Sequence, residues 1–466
     1  MYKNHQLIIN DAPEKGACVV YIMARDQRVA DNIALVVAQQ KALDLQLPLV
    51  VIFNLHGTVG VRAYEHALFM VEGLKEVAEK LSSIGVEFIL TANGTKLTLE
   101  EMLKKLDPAA IYFDFSPLHG PRDKAKSIAD TFQKTTVVVD THNIIPAWIA
   151  STQQEFAAHT FRSKVHKNLS GYLNEPQQAT HHPYTSRLSP PSLSFKEAYK
   201  YIERYPKRGI RISFKPGEKE AQKHLSGFIA EGLAHYATGR NDLAVDQQSG
   251  LSPYIHFGHI SSLRVALEVM YKTGDEPLLF REARLAQSSG SPSIADGMNA
   301  LFEEMIVRKE LADNFCLYAK DYRDLSSVPA WALETLKSHR ADKRDYIYTP
   351  EDLESAQTHD ESWNAAQREL THYGKIHGYM RMYWAKKILE WTEDPETALR
   401  HAIYLNDAYS IDGGDPNGYV GVLWAIAGLH DRPWTERPVF GKIRYMNEAG
   451  LKRKFDIQKY QNRIPK

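Results

Sequence analysis

The run His377-Gly378-Tyr379-Met380-Arg381-Met382-Tyr383-Trp384-Ala385-Lys386-Lys387-Ile388-Leu389-Glu390-Trp391 places two indoles and two thioethers on what its spacing predicts to be one helix. Residues step ~100° around a helix, so Met382 and Trp384 point ~200° apart. Trp384 and Trp391 are seven apart, hence nearly in line and ~10 Å apart along the axis. Aligned indoles can carry electrons; an amphipathic helix that uses Trp as core filler gives the same pattern. A second run, Ser249-Gly250-Leu251-Ser252-Pro253-Tyr254-Ile255-His256-Phe257-Gly258-His259-Ile260-Ser261, puts hydroxyls and open backbone ahead of a helix expected to start near Ser261. Helix starts and hydroxyl donors suit a diphosphate, and a Ser/Pro turn ending in an N-cap fits the same composition. Within Glu303–Phe315, Glu304 and Arg308 stand four apart, the spacing of an ion pair on one helical face. Asn406-Asp407 and then Asp412-Gly413-Gly414-Asp415-Pro416-Asn417-Gly418-Tyr419 read as a turn-rich acidic loop, and its spacing does not match an EF-hand. The histidines of the first third lack metal-ligand spacing, so no metal site is expected.

These runs carry a family likeness. Ser249–Gly258 closely resembles the L-S-P-Y-L-x-x-G signature of the photolyase/cryptochrome family, and His377–Trp391 resembles the signature of class II cyclobutane-pyrimidine-dimer (CPD) DNA photolyases almost without change. The resemblance implies FAD as cofactor and DNA containing pyrimidine dimers as partner. It places Tyr236, Ser249, Gly250, Leu251 and Ser252 against the FAD phosphates and ribose. It sets Asn406 near flavin N5, Asp407 at the flavin edge, and Asp412 in a pair with Arg381 that helps hold an anionic reduced ring. By the same likeness Trp384 is nearest the flavin, Trp363 follows on another helix, and Trp391 is the exit of a chain that photoreduces FAD. Glu304, as a buried protonated carboxyl, would hydrogen-bond the dimer carbonyl, with Met382 and Trp424 in the dimer pocket. Arg308 stands where some relatives carry Trp, which removes one aromatic wall.

The likeness continues through Gly428-Leu429-His430-Asp431-Arg432-Pro433-Trp434-Thr435-Glu436-Arg437 and Gly441-Lys442-Ile443-Arg444-Tyr445-Met446. Arg432 and Trp434 on a Pro-stiffened loop could wedge into the space that two extruded bases leave in a duplex. Behind them Lys442, Arg444, Lys452, Arg453, Lys454, Lys459, Arg463 and Lys466 face only Glu448 and Asp456. That local excess makes Lys442, Arg444, Lys452, Arg453 and Lys454 candidate phosphate contacts; by charge alone the tail reads as a solvated helical face. In the first part of the chain, Met23–Arg28, Asp140–Trp148 and Ala157–Arg162 match class II members as well. The resemblance also raises an antenna chromophore in that part, an 8-hydroxy-5-deazaflavin or a folate, with no motif to say whether it is bound.

The implied activity is light-driven CPD repair: reduced FAD passes an electron to a flipped-out dimer, the cyclobutane ring opens, and the electron returns. A cryptochrome-like photoreceptor would keep the flavin and the indoles without a dimer pocket, against Glu304, Met382 and Trp424. A (6-4) photolyase is expected to need a positioned His acid, and no histidine here matches that motif.

The elements that must position these residues divide in two. Between 18 and 140, apolar runs (18–22, 49–53, 86–90, 110–113, 136–139) alternate with helical spacing, which predicts a doubly wound α/β domain with a parallel sheet buried on both faces. No G-x-G-x-x-G or P-loop follows the first strand, so a dinucleotide site of that kind is not expected there. The expected division is an α/β domain over 1–165, a linker over 166–217 rich in Pro and Ser (His182-Pro183-Tyr184, Ser189-Pro190-Pro191-Ser192), and an all-helical domain over 218–466.

Bulk composition fits this division. With 466 residues, 43% hydrophobic and 24% charged, the chain can enclose a cofactor. Its formal net charge of +0 excludes a uniformly basic nucleic-acid binder and leaves recognition to local patches. Cys18 and Cys316 sit in apolar surroundings and are expected as free buried thiols. The sequence has no apolar leader or membrane-spanning run, which points to a soluble, cytoplasmic monomer, nucleoid-associated in a prokaryote or nuclear in a eukaryote, with no obligate protein partner.

Overall fold

The computed structural model describes residues 2–55, 62–95, 98–185, 190–274 and 293–465; Ser189 and Lys466 fall outside the described residues. Six strands build one sheet: β1 Gln6–Asn10, β2 Cys18–Met23, β3 Leu49–Asn54, β4 Glu87–Thr91, β5 Pro108–Asp114 and β6 Thr135–Val139, in the spatial order β1-β6-β5-β2-β3-β4. The five strands β2–β6 pair in parallel, and β1 runs antiparallel along β6. Their side chains alternate between two cores. Val19, Tyr21, Met23, Val51 and Phe53 pack on one face, and Cys18, Val20, Ile22, Val50 and Ile52 pack on the other. Helices Ile33–Leu45, Tyr64–Ser83, Leu99–Leu106 and His119–Phe132 connect the strands. Asn32 caps the first of these, and a Thr98–Glu101 capping box starts the third.

The α/β expectation holds, and the structure adds β1 to it. Gln6–Asn10 contains only three apolar residues, Leu7, Ile8 and Ile9, all exposed; it forms because the edge of β6 offers unpaired backbone groups, not because its side chains need burial.

Among the described residues, the stretch 166–217 carries one helix of its own, Phe195–Ile202. Elsewhere it bonds to both parts of the chain: His182 N donates to Ile84 O, Leu193 N to Leu90 O, and Arg211 N to His372 O. From Glu218 onward the described residues form helices and connecting turns, with no strand. Helix Pro416–Ala427 replaces part of the expected acidic loop. Pro416 sits in its first turn and Asp415 caps it by accepting from Asn417 N, so residues that look like turn formers are the start of a helix.

A polar seam joins the two halves. Arg25 donates to both carboxylate oxygens of Asp313 (2.8 and 3.0 Å), Lys309 Nζ donates to His142 O and Asn143 Oδ1, and Glu310 accepts from Ile144 N. Gly258 makes the closest approach: with φ +69°, a Cβ there would lie 2.3 Å from Arg25 O, so only glycine lets the turn after Ser252–His256 close on the loop after β2. The matching segments Met23–Arg28, Asp140–Trp148 and Ala157–Arg162 all contribute to this seam, the last through Arg162, which grips Glu303. Both cysteines are free and buried, and burial pushes the Cys18 thiol up to about 12.

Candidate functional site: a polar cleft beside a stack of indoles

The turn at Ser249–Leu251 and the short helix Ser252–His256 form one wall of a cleft among the helices. Gly250 adopts φ +64°, which lets the chain turn sharply between the two serines. His224 lies 2.9 Å from Ser249 O, and Lys375 Nζ donates to Ser252 Oγ at 2.6 Å. A cavity of about 230 Å³ opens in front of this wall, lined by Tyr236, Ser249, Leu251, Ser252, Glu304, Arg381 and Asp412 together with Lys309 and Asn417. Seven residues singled out in the sequence therefore meet around one space. Ser249 also borders a second cavity of about 1080 Å³, along with Gly250, Lys375 and His377.

The opposite wall is polar and fixed. Arg381 Nη2 lies 3.7 Å from Asp412 Oδ1. Burial works against the Asp412 charge, yet Arg381 and Lys375 hold its carboxyl below the usual carboxylate range, helped by the Ser410 hydroxyl. Asn406 lies just behind the lining: a Cβ on Gly418 would stand 2.7 Å from Asn406 Nδ2, so glycine there keeps the amide against the cavity wall. Asn406 Nδ2 donates to Asp407 Oδ1, which also accepts from Gly414 N at 2.8 Å. Burial pushes the Asp407 carboxyl up.

Two expectations need correction here. Glu304 is not a buried acid: its side chain is 41% exposed and accepts from Arg240 Nη1 at 2.7 Å. Nor does Glu304 pair with Arg308. Residues Glu303–Arg308 form a π-helical turn, bonded i to i+5 along its backbone, and Arg308 Nε pairs with Glu303 at 3.0 Å instead. The helix expected near Ser261 is present as Ser262–Thr273, and the Ser261 hydroxyl caps it by accepting from Arg264 N, as the N-cap reading has it.

Behind the cleft, Trp384 on helix Gly378–Glu390, its C-cap Trp391, and Trp363 on helix Glu361–Tyr373 meet in the core. Trp384 lies 6.4 Å from Trp363 with the rings 4° from parallel, and Trp363 lies 5.6 Å from Trp391. Trp384 Nε1 donates to Gln367 Oε1 and Trp363 Nε1 to Trp384 O. All three are buried, Trp391 included, so the expected exit does not reach solvent. Tyr348 and His359 lie 5.4 and 5.2 Å from Trp391, and Tyr346, stacked on His359 at 3.7 Å, is the exposed end of the cluster.

The remaining residues form a rim. Met382 and Trp424 are half-buried and do not line the 230 Å³ cavity. Trp424 stands seven residues after Asn417 on helix Pro416–Ala427, so it faces the same side two turns away. Between them a Cβ on Gly421 would meet nothing within 4 Å, which marks open space. Arg444 stacks 5.3 Å from the Trp424 ring and 4.3 Å from Trp434, and pairs with Asp431 at 3.1 Å. Arg432 covers Trp434 at 5.2 Å. Lys442, Lys452 and Arg453 are exposed, Lys452 is paired with Glu448, and Lys454 lies over Tyr379. Sequence reasoning missed Lys375, Lys386, Tyr348 and His359, and the pairing of Arg240 with Glu304, which arise only through contacts between separate segments.

An α/β sheet joined to a helical body with a cleft of this kind defines an architecture found in solved structures. A bacterial class III photolyase from Agrobacterium tumefaciens matches 97% of this chain and 86% of its own at a TM-score of 0.73 and 17% identity. A cryptochrome from Synechocystis sp. PCC6803 matches 97% and 89% at 0.68 and 16%. At these identities the likeness speaks for the fold alone. The DNA photolyase family model matches residues 19–183. Deoxyribodipyrimidine photo-lyases from Potorous tridactylus and Oryza sativa subsp. japonica are 42% and 43% identical to this chain over 97% and 96% of its length, and over 82% and 87% of theirs. One from Methanothermobacter thermautotrophicus is 38% identical over 97% of this chain and 95% of its own. The chain belongs to the DNA photolyase family.

Proposed function

We propose that the chain is a deoxyribodipyrimidine photo-lyase of the class II type, which binds FAD in the cleft and splits CPDs in DNA. Among structural features, one carries this reading: Arg381 lines the cavity, and Trp384, one turn further along the same helix, begins a stack of buried indoles. The full-length identity to named photo-lyases supports it independently.

The residues present fit FAD. The two cavities meet at Ser249 and together exceed the volume of ordinary ligand sites, roughly 300–1,000 Å³. Ser249, Ser252 and Lys375 supply hydroxyls and a cation for a diphosphate, with Gly250, Leu251 and Tyr236 shaping the adjoining wall. Arg381, fixed by Asp412, supplies positive charge to a reduced ring, while Asn406 and Asp407 offer hydrogen bonds through the gap at Gly418. The chemistry that bound FAD contributes is a light-driven one-electron loan to the dimer, returned after the ring opens.

The protein's own residues bind, orient and exclude water. Arg240 holds Glu304 at the cavity wall, where a protonated Glu304 would donate to a base carbonyl. Trp424 forms the pocket wall, and Met382 lies on the same rim. Trp384, Trp363 and Trp391 serve photoreduction. Arg432 and Trp434 fill the gap that the extruded bases leave, and Arg308, Lys442, Arg444, Lys452, Arg453 and Lys454 meet the phosphates. In this reading residues 1–165 and 218–466 form the two working domains, joined by 166–217, and the chain acts as a monomer where its DNA is kept. Among the described residues no helix is long and apolar enough to cross a membrane.

An antenna chromophore, a deazaflavin or a folate, has a suitable place as part of this proposal. A crevice of about 380 Å³ lies at the carboxyl ends of β2, β3 and β5, where the strand order reverses, lined by Met23, Phe53, Asp114 and Phe257 among others.

The test is incubation of purified protein, loaded with FAD and reduced, with a dimer-bearing oligonucleotide in light and in darkness. Splitting in light alone is expected; splitting equal in both, or in neither, defeats the reading. A (6-4) lesion left intact in the same light distinguishes CPD repair from the other photolyase chemistry.

A further inference from the structure

Lys386 is a buried cation with no part in the cleft or the indole row. It sits on helix Gly378–Glu390, two residues after Trp384, yet its side chain serves the rim and not the indole stack. It is wholly buried, and Nζ donates to the carbonyl of Ala425 at 2.8 Å. The same Nζ lies 5.2 Å from the ring of Trp424. On the rim, Arg444 stacks on that indole at 5.3 Å.

We infer that Lys386 is an electrostatic positioning residue for dimer splitting: its ammonium, held beneath Trp424, stabilises negative charge that arrives on a dimer resting against that indole. The inference rests on the photo-lyase reading and deepens it. In the step concerned, one electron lent by the reduced cofactor enters the dimer, the two carbon–carbon bonds of the cyclobutane ring break, and the same electron leaves. No net oxidant or reductant is consumed. The dimer is neutral before the electron arrives and anionic while the bonds break, so a fixed cation favours the splitting state over the bound ground state. At about 9 Å and an effective dielectric near 20, one charge biases such an equilibrium roughly twenty-fold. Lys386 needs no movement to act, because the Ala425 carbonyl already orients it.

Burial lowers the Lys386 amine to about 7, with Asp431 acting to raise it and Arg444 to lower it further. Those two are the charged groups that act on it, Asp431 from the turn after helix Pro416–Ala427 and Arg444 from the rim segment. Lys386 is therefore charged on the acid side of neutrality and loses that charge as pH rises through about 7.

The test is the quantum yield of dimer splitting by FAD-loaded, dithionite-reduced protein at saturating dimer oligonucleotide, between about pH 6 and pH 8.5, for the wild type, Lys386→Met and Lys386→Arg. The wild-type yield should fall by about threefold or more across neutrality. Lys386→Met should give the low yield at every pH, and Lys386→Arg the high one. A flat wild-type profile, or a Lys386→Met protein with the wild-type yield and profile, overturns the inference. So does a Lys386→Met defect confined to oligonucleotide affinity, which would make the residue a structural prop. If Lys386→Met does not fold, the wild-type and Lys386→Arg profiles decide alone: both falling in the same way overturns the inference. Absence of light-dependent splitting by the wild type at all pH values sinks the photo-lyase reading itself and this inference with it.

Discussion

Two groups of tryptophans flank the same helix and live in opposite surroundings. Trp384, Trp363 and Trp391 are buried, and neutral partners satisfy the first two: an amide oxygen of Gln367 and a backbone carbonyl. Trp424 and Trp434 are partly exposed and interleaved with Lys386, Arg432 and Arg444. The difference teaches what each environment is good for. A buried row of indoles, with a cation only beside its outer member where Lys387 Nζ lies 5.5 Å from the Trp391 ring among the described residues, can move charge with little reorganisation of its surroundings. Indoles sandwiched by cations present flat apolar faces within an electropositive rim, which suits bases on a phosphate backbone.

The largest expected effect breaks the buried group. Trp384→Phe should reduce photoreduction of FAD to background while chemically reduced protein still splits dimers, and absorption at the flavin bands under illumination checks this. Unchanged photoreduction would remove Trp384 from the relay. Next comes the polar wall between the two groups. Glu304→Ala, which also frees Arg240, should lower the splitting yield by roughly tenfold, the worth of one charge-assisted hydrogen bond, with a smaller change in dimer affinity. The reverse pattern would make Glu304 a binding residue.

Smaller effects sharpen the comparison. Replacing Lys452, Arg453 and Lys454 by Gln should flatten the salt dependence of DNA binding by up to roughly 0.9 in log–log slope per lost contact. Lys452 should contribute least, because Glu448 already pairs with it. An unaltered slope would return this segment to a solvated face. The smallest effect concerns stability. Asp412 has a folded-state carboxyl held below its ordinary value, so its contribution is present above about pH 4 and is lost as pH falls through the folded value. Asp412→Asn should cost about 2 kcal/mol at pH 7, read from urea midpoints, and the gap to the wild type should narrow in acid. A gap that stays constant down to about pH 3 would mean that the Arg381 pair contributes nothing.

Much of this was legible from spacing. The five parallel strands appear as continuous apolar runs because both faces are buried, and the helix around Trp384 appears because its residues repeat at helical intervals. Strand β1 escaped because an edge strand is held by backbone groups and needs no apolar pattern. The pairing of Glu303 with Arg308 escaped because counting at 3.6 residues per turn fails inside a π-helical turn. Pro416–Ala427 was hidden by four glycines and a proline between Gly413 and Gly421, residues that here start the helix and open the wall toward Asn406. Lys375 and Lys386 had no signal at all: each is an ordinary cation in sequence and acquires its role from a partner 123 or 39 positions away. Arg240 stands just ahead of the Ser249–Ser261 run, and only its pairing with Glu304, 64 positions on, had no signal.

The claim on which the rest depends is that the cleft between Ser252 and Asp412 holds a flavin. Absorption spectroscopy of the purified protein, after incubation with FAD and gel filtration, tests it directly. The account predicts flavin bands that co-elute with the protein near one per chain and bleach under blue light with a thiol donor. Protein that emerges without flavin absorption would contradict it.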